Sequence, residues 1–410
     1  MRLFFTLVGL PLMLLADLEV SGHLDLDSQI YLSVPKSKHN NSFTLKQTLE
    51  LNYTKDDLTV FSKLYAQEDY YDTLSQEEHN ERTFIRADEL YLKYDFADDS
   101  IKLGKSVEFW GALEFRNIVN AFNPEDFRVD MFNTSKLGVW NLAYSYFTQS
   151  GELSLIVKLN EPDQKMPTSP YVYYFLPEGI AYEESLESSQ GTQRPSIYLK
   201  YSGTTESEYP LDYAFIYENG YDSQRYFTTN ATAISAPTEF RQKAYLVNKF
   251  MTYNTLVVDA TLIKLEAMYV KVDGQEKVGD YSHIAFGLEH TLENFDNGAA
   301  LGLIAEYYRY DTYEDDKYTD LELFETMQND IFIGARYTFN NSEDSSVVGG
   351  VVADTEYGEQ TYYLQYESRF MEAFKVAFDY YYVQPSTSTL TAYSLLETHQ
   401  RVGLNIAWHF

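Results

Sequence analysis

Apolar and polar residues take turns along most of this chain with a period of two. The last run shows it without a break. Val402, Leu404, Ile406, Trp408 and Phe410 fall on one side of an extended strand, and Arg401, Gly403, Asn405, Ala407 and His409 on the other. Successive strand residues point to opposite faces, so one side is wide and apolar and the other polar or small. Near the start, Leu18, Val20, Leu24, Leu26 and Ile30 likewise oppose Glu19, His23, Asp25, Asp27 and Gln29. The alternation returns over 43–53, 331–339 and 374–382. Period two, not the 3.6 of an amphipathic helix, governs the chain. The expected fold class is all-β.

Connection lengths alternate as well. Short links fall at Thr54–Asp57, Asp95–Asp98, Thr148–Ser150, Gly203–Glu208, Glu293–Gly298, Asn340–Ser345 and Phe370–Met371. Between them lie longer ones: Ser33–Ser42, Glu68–Thr83, Ser106–Ser135, Asn160–Pro195, Glu218–Ala244, Val272–Asp280, Asp311–Glu325 and Gln384–Glu397. A single transmembrane antiparallel β-barrel with periplasmic termini predicts this rhythm, with short turns on one side and long loops outside. A propeller or sandwich has no reason to obey it. About 18 strands follow, or 16 if Ser100–Lys105 and Ile197–Tyr201 do not form and Phe240–Ala260 is parsed differently. The link near Tyr357–Gly358 is the exception, since it belongs outside and yet is short.

Composition narrows the class. The 410 residues include 38 Tyr and 26 Phe, and mean hydropathy is −0.37, which excludes a bundle of membrane helices but not a barrel. Only alternate residues of a barrel strand face lipid, and aromatic girdles absorb many Tyr and Phe. No Cys is present, so neither a disulfide framework nor thiolate chemistry is expected. A net charge of −31 argues against a nucleic-acid partner. It suits cation attraction, or divalent bridging to lipopolysaccharide by the acidic clusters 68–81 and 311–325. Neither cluster has the ligand spacing of a calcium loop. No cofactor and no metal ligand set is expected. Met1–Ala16 has Arg2, an apolar stretch and a terminal small residue, and reads as a signal peptide, leaving 17–410 as the barrel.

Ser106–Ser135 is too apolar for a loop that lies in water, because Phe109, Trp110, Leu113, Phe115, Ile118, Val119, Phe122, Phe127 and Phe132 need packing partners. Asn123-Pro124-Glu125-Asp126 has the form of a helix start, with a cap, a first-turn proline and two acids at the positive end. As the third outward connection, it is expected to fold into the lumen. Its Glu108, Glu114, Arg116, Glu125, Asp126 and Arg128 would then place both signs of charge at the narrowest point. Lys105 and Trp110 at its start, and Glu306, Arg336, Glu367, Arg369 and Arg401 on the polar strand faces, complete the expected pore set. Opposed charges across a pore filter dipolar solutes.

The aromatic terminus, Trp408 and Phe410, resembles the C-terminal strand of Gram-negative outer-membrane barrels, and the resemblance implies recognition by the barrel-assembly machinery. Leu103-Gly104-Lys105, Trp110-Gly111 and Asn123-Pro124-Glu125-Asp126 resemble a porin-like outer-membrane family, as do Leu303–Tyr307, Phe332–Tyr337 and Gly349–Asp354. In general porins the third loop sets the constriction, and 106–135 is similar to it. The resemblance implies a bacterial outer-membrane channel for small solutes, in a setting of lipid and lipopolysaccharide, with a homotrimer as one assembly. Two alternatives stay open: a substrate-specific channel in which Phe and Tyr of the inward segment guide hydrophobic molecules, and an adhesin or structural barrel. Enzymatic activity is not expected. None of the seven His (23, 39, 79, 283, 290, 399, 409) stands in a spacing that suggests a nucleophile–base pair.

Overall fold

A computed structural model describes residues 18–410 except 36, 74–80, 177–178, 233, 275, 277, 294, 296–297, 314–324, 390 and 397–398. The proposed signal peptide therefore lies outside the described residues, as do Glu77, Glu78, His79 and most of the acidic run 311–325.

The wall is an 18-stranded sheet. In chain order its strands are β1 (Leu18–Tyr31), β2 (Asn41–Lys55), β3 (Leu58–Asp69), β4 (Phe84–Asp95), β5 (Asp99–Ser106) and β6 (Val139–Thr148). Then come β7 (Gly151–Lys158), β8 (Ser196–Thr204), β9 (Leu211–Tyr221), β10 (Leu246–Val258), β11 (Thr261–Val272) and β12 (Tyr281–Leu292). The last six are β13 (Ala300–Thr312), β14 (Asn329–Thr338), β15 (Ser346–Asp354), β16 (Gln360–Phe370), β17 (Phe374–Gln384) and β18 (His399–His409).

Each strand pairs antiparallel with its chain neighbours, and the last returns to the first. β1 pairs with β18 from His23↔His409 to Tyr31↔Arg401. Beyond that register Gly22 N donates to Phe410 O at 3.1 Å and Phe410 N to Gly22 O at 3.0 Å, so the final residue zips the seam. Among the described residues the 18-stranded wall has no open edge, which lipid requires because it offers no partner for a bare N–H or C=O.

Alternation sorts the side chains as expected. Leu26, Ile30, Leu92, Phe215, Phe250, Ile333, Leu364 and Trp408 are exposed on the outer surface. Asp25, Asp27, Gln29, Thr44, Glu218, Lys249, Glu266, Glu306 and Arg401 are buried on the inner one. That is inside-out for a soluble protein and correct for a cylinder in a bilayer. Among the described residues no helix is long and apolar enough to cross a membrane; the strands do that work.

Turns at one rim are tight. Lys55 pairs with Leu58 and Val258 with Thr261, and Asp56 and Asp259 adopt left-handed backbone at φ 51°, as two-residue hairpins demand. The opposite rim carries the long loops. The link 355–359 is the short one among them, bridged by Asp354 N donating to Glu359 O at 3.0 Å. The ambiguity over 240–260 resolves cleanly. Glu239–Ala244 belongs to a small rim sheet with Ala181–Ser188 and Tyr226–Thr229, and the wall resumes at Leu246.

One local expectation fails. No helix starts at Asn123-Pro124; Glu125–Asp126 instead pairs antiparallel with Ser135–Lys136. The cap residue is used across the loop. Asn123 accepts from Glu108 N at 2.8 Å and donates to Ser106 O and Leu137 O at 3.0 and 2.9 Å. Three tertiary bonds outweigh a local preference worth about 1 kcal/mol.

Candidate constriction site

Loop 107–138, between β5 and β6, leaves the wall and crosses the lumen. Its tip is held by wall carboxylates on the far side. Glu266 of β11 accepts from Ala112 N (2.6 Å), Leu113 N (3.1 Å) and Val119 N (3.2 Å). Glu306 of β13 accepts from Glu114 N (2.7 Å) and Phe115 N (3.1 Å). Tyr308 donates to Glu306 at 2.5 Å and accepts from Arg116 N at 3.1 Å. A tip that turns sharply leaves its N–H groups without secondary-structure partners, and two anions on the wall satisfy them.

Packing fixes the tip sideways. Leu113 sits where Gly287 has no side chain, since a Cβ there would come within 2.7 Å of its Cδ2. Phe115 stacks on Phe332 at 4.8 Å and leans on Tyr363 at 5.7 Å. Phe332 itself lies over two glycines: a Cβ on Gly334 or Gly350 would meet its ring at 2.4 or 2.3 Å. The returning half of the loop reaches the seam. Asp130 is bonded by Arg401 at 2.8 and 2.9 Å and by Gln29 at 3.0 Å, while Phe132 stacks on Tyr381 at 4.5 Å.

Charges then gather beside the tip. Glu114 pairs with Lys264 at 2.8 Å and with Arg336, and Glu289 receives the same Lys264 at 2.8 Å and Arg336 at 3.5 Å. Burial alone would raise the Glu114 carboxyl, but Lys264 and Arg336 hold it below its ordinary value. Arg116 pairs with Glu325 at 3.1 Å, and Glu125 with Lys136 at 3.0 Å. Glu125 too stays below its usual range, since Lys136 and Arg116 overcome the cost of burial. These groups border an open cavity of about 850 Å³ that runs between the loop and the wall of β11–β17. Glu114, Arg116, Glu125 and Arg336 line it, with Phe115, Asn133, Tyr363, Gln365 and Tyr393.

The remaining expected pore residues lie elsewhere. Trp110, 2 % exposed, is packed on Phe122 and Tyr198 at 5.4 and 5.6 Å. Glu108 pairs with Lys102, and Lys105 braces Ala87 O at 2.6 Å. Asp126 is fully buried between Arg86 and Arg128, whose guanidinium covers Phe84 at 3.9 Å. Glu306 is an anchor of the loop. Arg401 is sealed in the wall by Asp130, Asp379 and the Tyr381 ring. Glu367–Lys375 (2.7 Å) and Arg369–Asp344 (3.3 Å) are ladders next to the short turns. Trp408 and Phe410 face outward with ring centroids 5.2 Å apart.

Asp130, Tyr308 and Phe332 were not expected as anchors. The signal available was an acid or large ring at an inward position, which says that a partner exists but not which.

The fold is that of outer-membrane β-barrels. The chain is similar to a BenF-like porin from Pseudomonas fluorescens Pf-5 (TM-score 0.57, 9% identity, 97% of this chain and 99% of that one). It is also similar to OccK8 (OprE) of Pseudomonas aeruginosa (0.55, 9%, 96% and 98%) and to OccK11 (OpdR) of the same organism (0.54, 9%, 97% and 96%). No protein-family model and no curated protein sequence matches the chain. At such identities the likeness concerns the barrel, its strand arrangement and its span.

Proposed function

We propose that this protein is an outer-membrane channel for passive diffusion of small polar solutes, constricted by loop 107–138. One observation carries the reading: an inward loop, bonded to the opposite wall, leaves an open cavity of about 850 Å³ bordered by matched ion pairs. Pairing at the constriction means that little net charge acts on a solute there. The surplus of acid is carried by the rest of the chain, and a weak, salt-screened cation preference follows.

The hydrophobic-guide alternative draws on the same geometry: Trp110 and Phe122 are buried to more than nine-tenths and dock the loop, whereas Phe109, Phe115, Phe127 and Phe132 of the inward segment line the cavity. Among the described histidines, His283 meets Met327 O at 3.0 Å, His399 meets Tyr173 Oη at 3.2 Å, His290 meets Thr261 Oγ1 at 2.8 Å and His23 meets Asp25 at 3.3 Å. Lipopolysaccharide contact, handling by the barrel-assembly machinery through Trp408 and Phe410, and trimer formation belong to the same proposal.

Planar-bilayer recording of the purified, refolded barrel tests it. Ohmic steps with reversal potentials slightly favouring cations are expected. A folded barrel that never conducts, or one that clearly prefers anions, refutes the corresponding part.

A further inference from the structure

Beside the cavity, rings of the inner wall form an ordered row. Phe332 of β14, Tyr363 of β16 and Tyr381 of β17 follow one another with centroids 6.0 and 6.1 Å apart, at interplanar angles of 23° and 21°. The loop roofs each end of the row, since Phe115 stacks on Phe332 at 4.8 Å and Phe132 on Tyr381 at 4.5 Å. Phe332 and Tyr381 are accordingly buried. Tyr363, between them, stays half-buried and lines the cavity; Phe115 leans on it at 5.7 Å without covering it. One ring is left open between two that are closed.

Groups that suit hydroxyls stand around that ring. Gln365, two residues further along β16, donates to Tyr381 Oη at 2.7 Å, and exposed Asn133 of the loop also bonds the Tyr381 side chain. Arg336 and Glu114, paired with each other, lie close enough to act on Tyr363. An amide both donates and accepts, as a hydroxyl does. Among the described residues the carboxylates lining the cavity are Glu114, Glu125 and Glu325, and Arg336, Lys136 and Arg116 match them one to one. A charged solute would have to break a pair to gain one. A neutral solute leaves the pairs intact, because a guanidinium has further N–H donors to offer and a carboxylate further lone pairs.

We infer that the open place over Tyr363 is a binding site for uncharged carbohydrate. The site rests on the channel reading and gives the channel a preferred class of solute. A pyranose ring carries C–H bonds on its flat face and hydroxyls around its edge. The C–H face lies on the electron-rich face of Tyr363, and the hydroxyls meet Gln365, Asn133 and the Glu114–Arg336 pair. A flat aromatic molecule would satisfy the ring and leave the amides and ions unmatched; an open-chain polyol would do the reverse. Only a sugar ring answers both. The cavity of about 850 Å³ falls within the range of small-molecule sites, roughly 300–1,000 Å³.

Saturation-transfer NMR of maltotriose with the refolded full-length barrel in detergent reads binding without reference to conductance. A barrel that conducts without sugar contact refutes this site alone, and one that takes sugar but never conducts refutes the channel alone. Saturable transfer to maltotriose is expected, undiminished by equal concentrations of benzoate or sorbitol. Tyr363→Ala weakens it roughly tenfold, the effect of one lost ring contact. Tyr363→Phe, which keeps the ring, restores most of the affinity. Tyr209→Ala, an exposed ring in the short turn between β8 and β9, leaves it unchanged. Heat-modifiable gel mobility reports folding. If Tyr363→Ala does not fold, Asn133→Ala, at an exposed loop position, carries the decision with a severalfold loss. The site is overturned by absence of saturable transfer in the parent protein, by displacement with benzoate or sorbitol, or by parental affinity in the folded variant that carries the decision.

Discussion

Removing the Glu266 carboxylate should free the tip of loop 107–138. Glu266→Ala deletes the acceptor of three loop N–H groups, at 2.6, 3.1 and 3.2 Å. Hydrogen bonds to a charged group contribute about 1.5–3 kcal/mol each, so the gross loss is on the order of 5–9 kcal/mol. The tip borders an open cavity, and water entering there would regain part of this, leaving about 2–4 kcal/mol. That shifts the docked-to-free ratio roughly 30- to 700-fold. Glu306 and the Phe115–Phe332 stack still act on the tip, so intermittent release is expected rather than permanent loss. Single-channel recording should show a second, larger conductance level with increased noise. Glu266→Gln, which keeps one carbonyl acceptor, should fall between. A folded Glu266→Ala barrel with parental conductance and noise would refute the idea that this carboxylate holds the constriction.

Further expectations come from other contacts. Gly350→Val drives a side chain into the Phe332 ring, 2.3 Å from an added Cβ, and should lower stability by about 1–3 kcal/mol in denaturant unfolding. Phe332→Ala should cost about 3–5 kcal/mol by leaving a cavity under Phe115. For pH, Asp130 lies in loop 107–138; burial would raise its carboxyl, but Arg401 and Lys46 lower it from 3.8 to about 2. A carboxyl lowered in the folded state contributes stability that is complete above its unfolded value and lost as pH falls through the folded one. Loop docking, read by conductance, should thus hold at pH 5 and fail between about 4 and 2; failure already at pH 6 would point to another group. Phe410→Ala should reduce the folded fraction on assembly in lipid more than it reduces conductance of the barrels that form.

The wall was legible because lipid outside and water inside impose one rule on every strand. Ile333 and Trp408 could only face out, and Arg336 and Arg401 only in. Turn rhythm then gave the count, including β5 and β8, whose sequences are weak. The inward course of the third loop was legible from its surplus of apolar residues. Its attachments were not. Glu266 and Ala112 are 154 residues apart, and nothing local to either names the other. Local reasoning misled at Asn123-Pro124, where a good helix cap is used by Ser106, Glu108 and Leu137 instead.

The distance along the chain between the tip and its anchors also orders events during biogenesis. Glu114 and Phe115 belong to the first third of the polypeptide, whereas Glu306 follows about two hundred residues later. Until β11 to β13 are in place, the tip has no wall carboxylate to grasp, and a nascent barrel holds the segment only by its flanks, through Arg86, Lys102 and Tyr198. Narrowing of the passage is therefore a finishing step, and a half-built cylinder is a leakier object than the completed one.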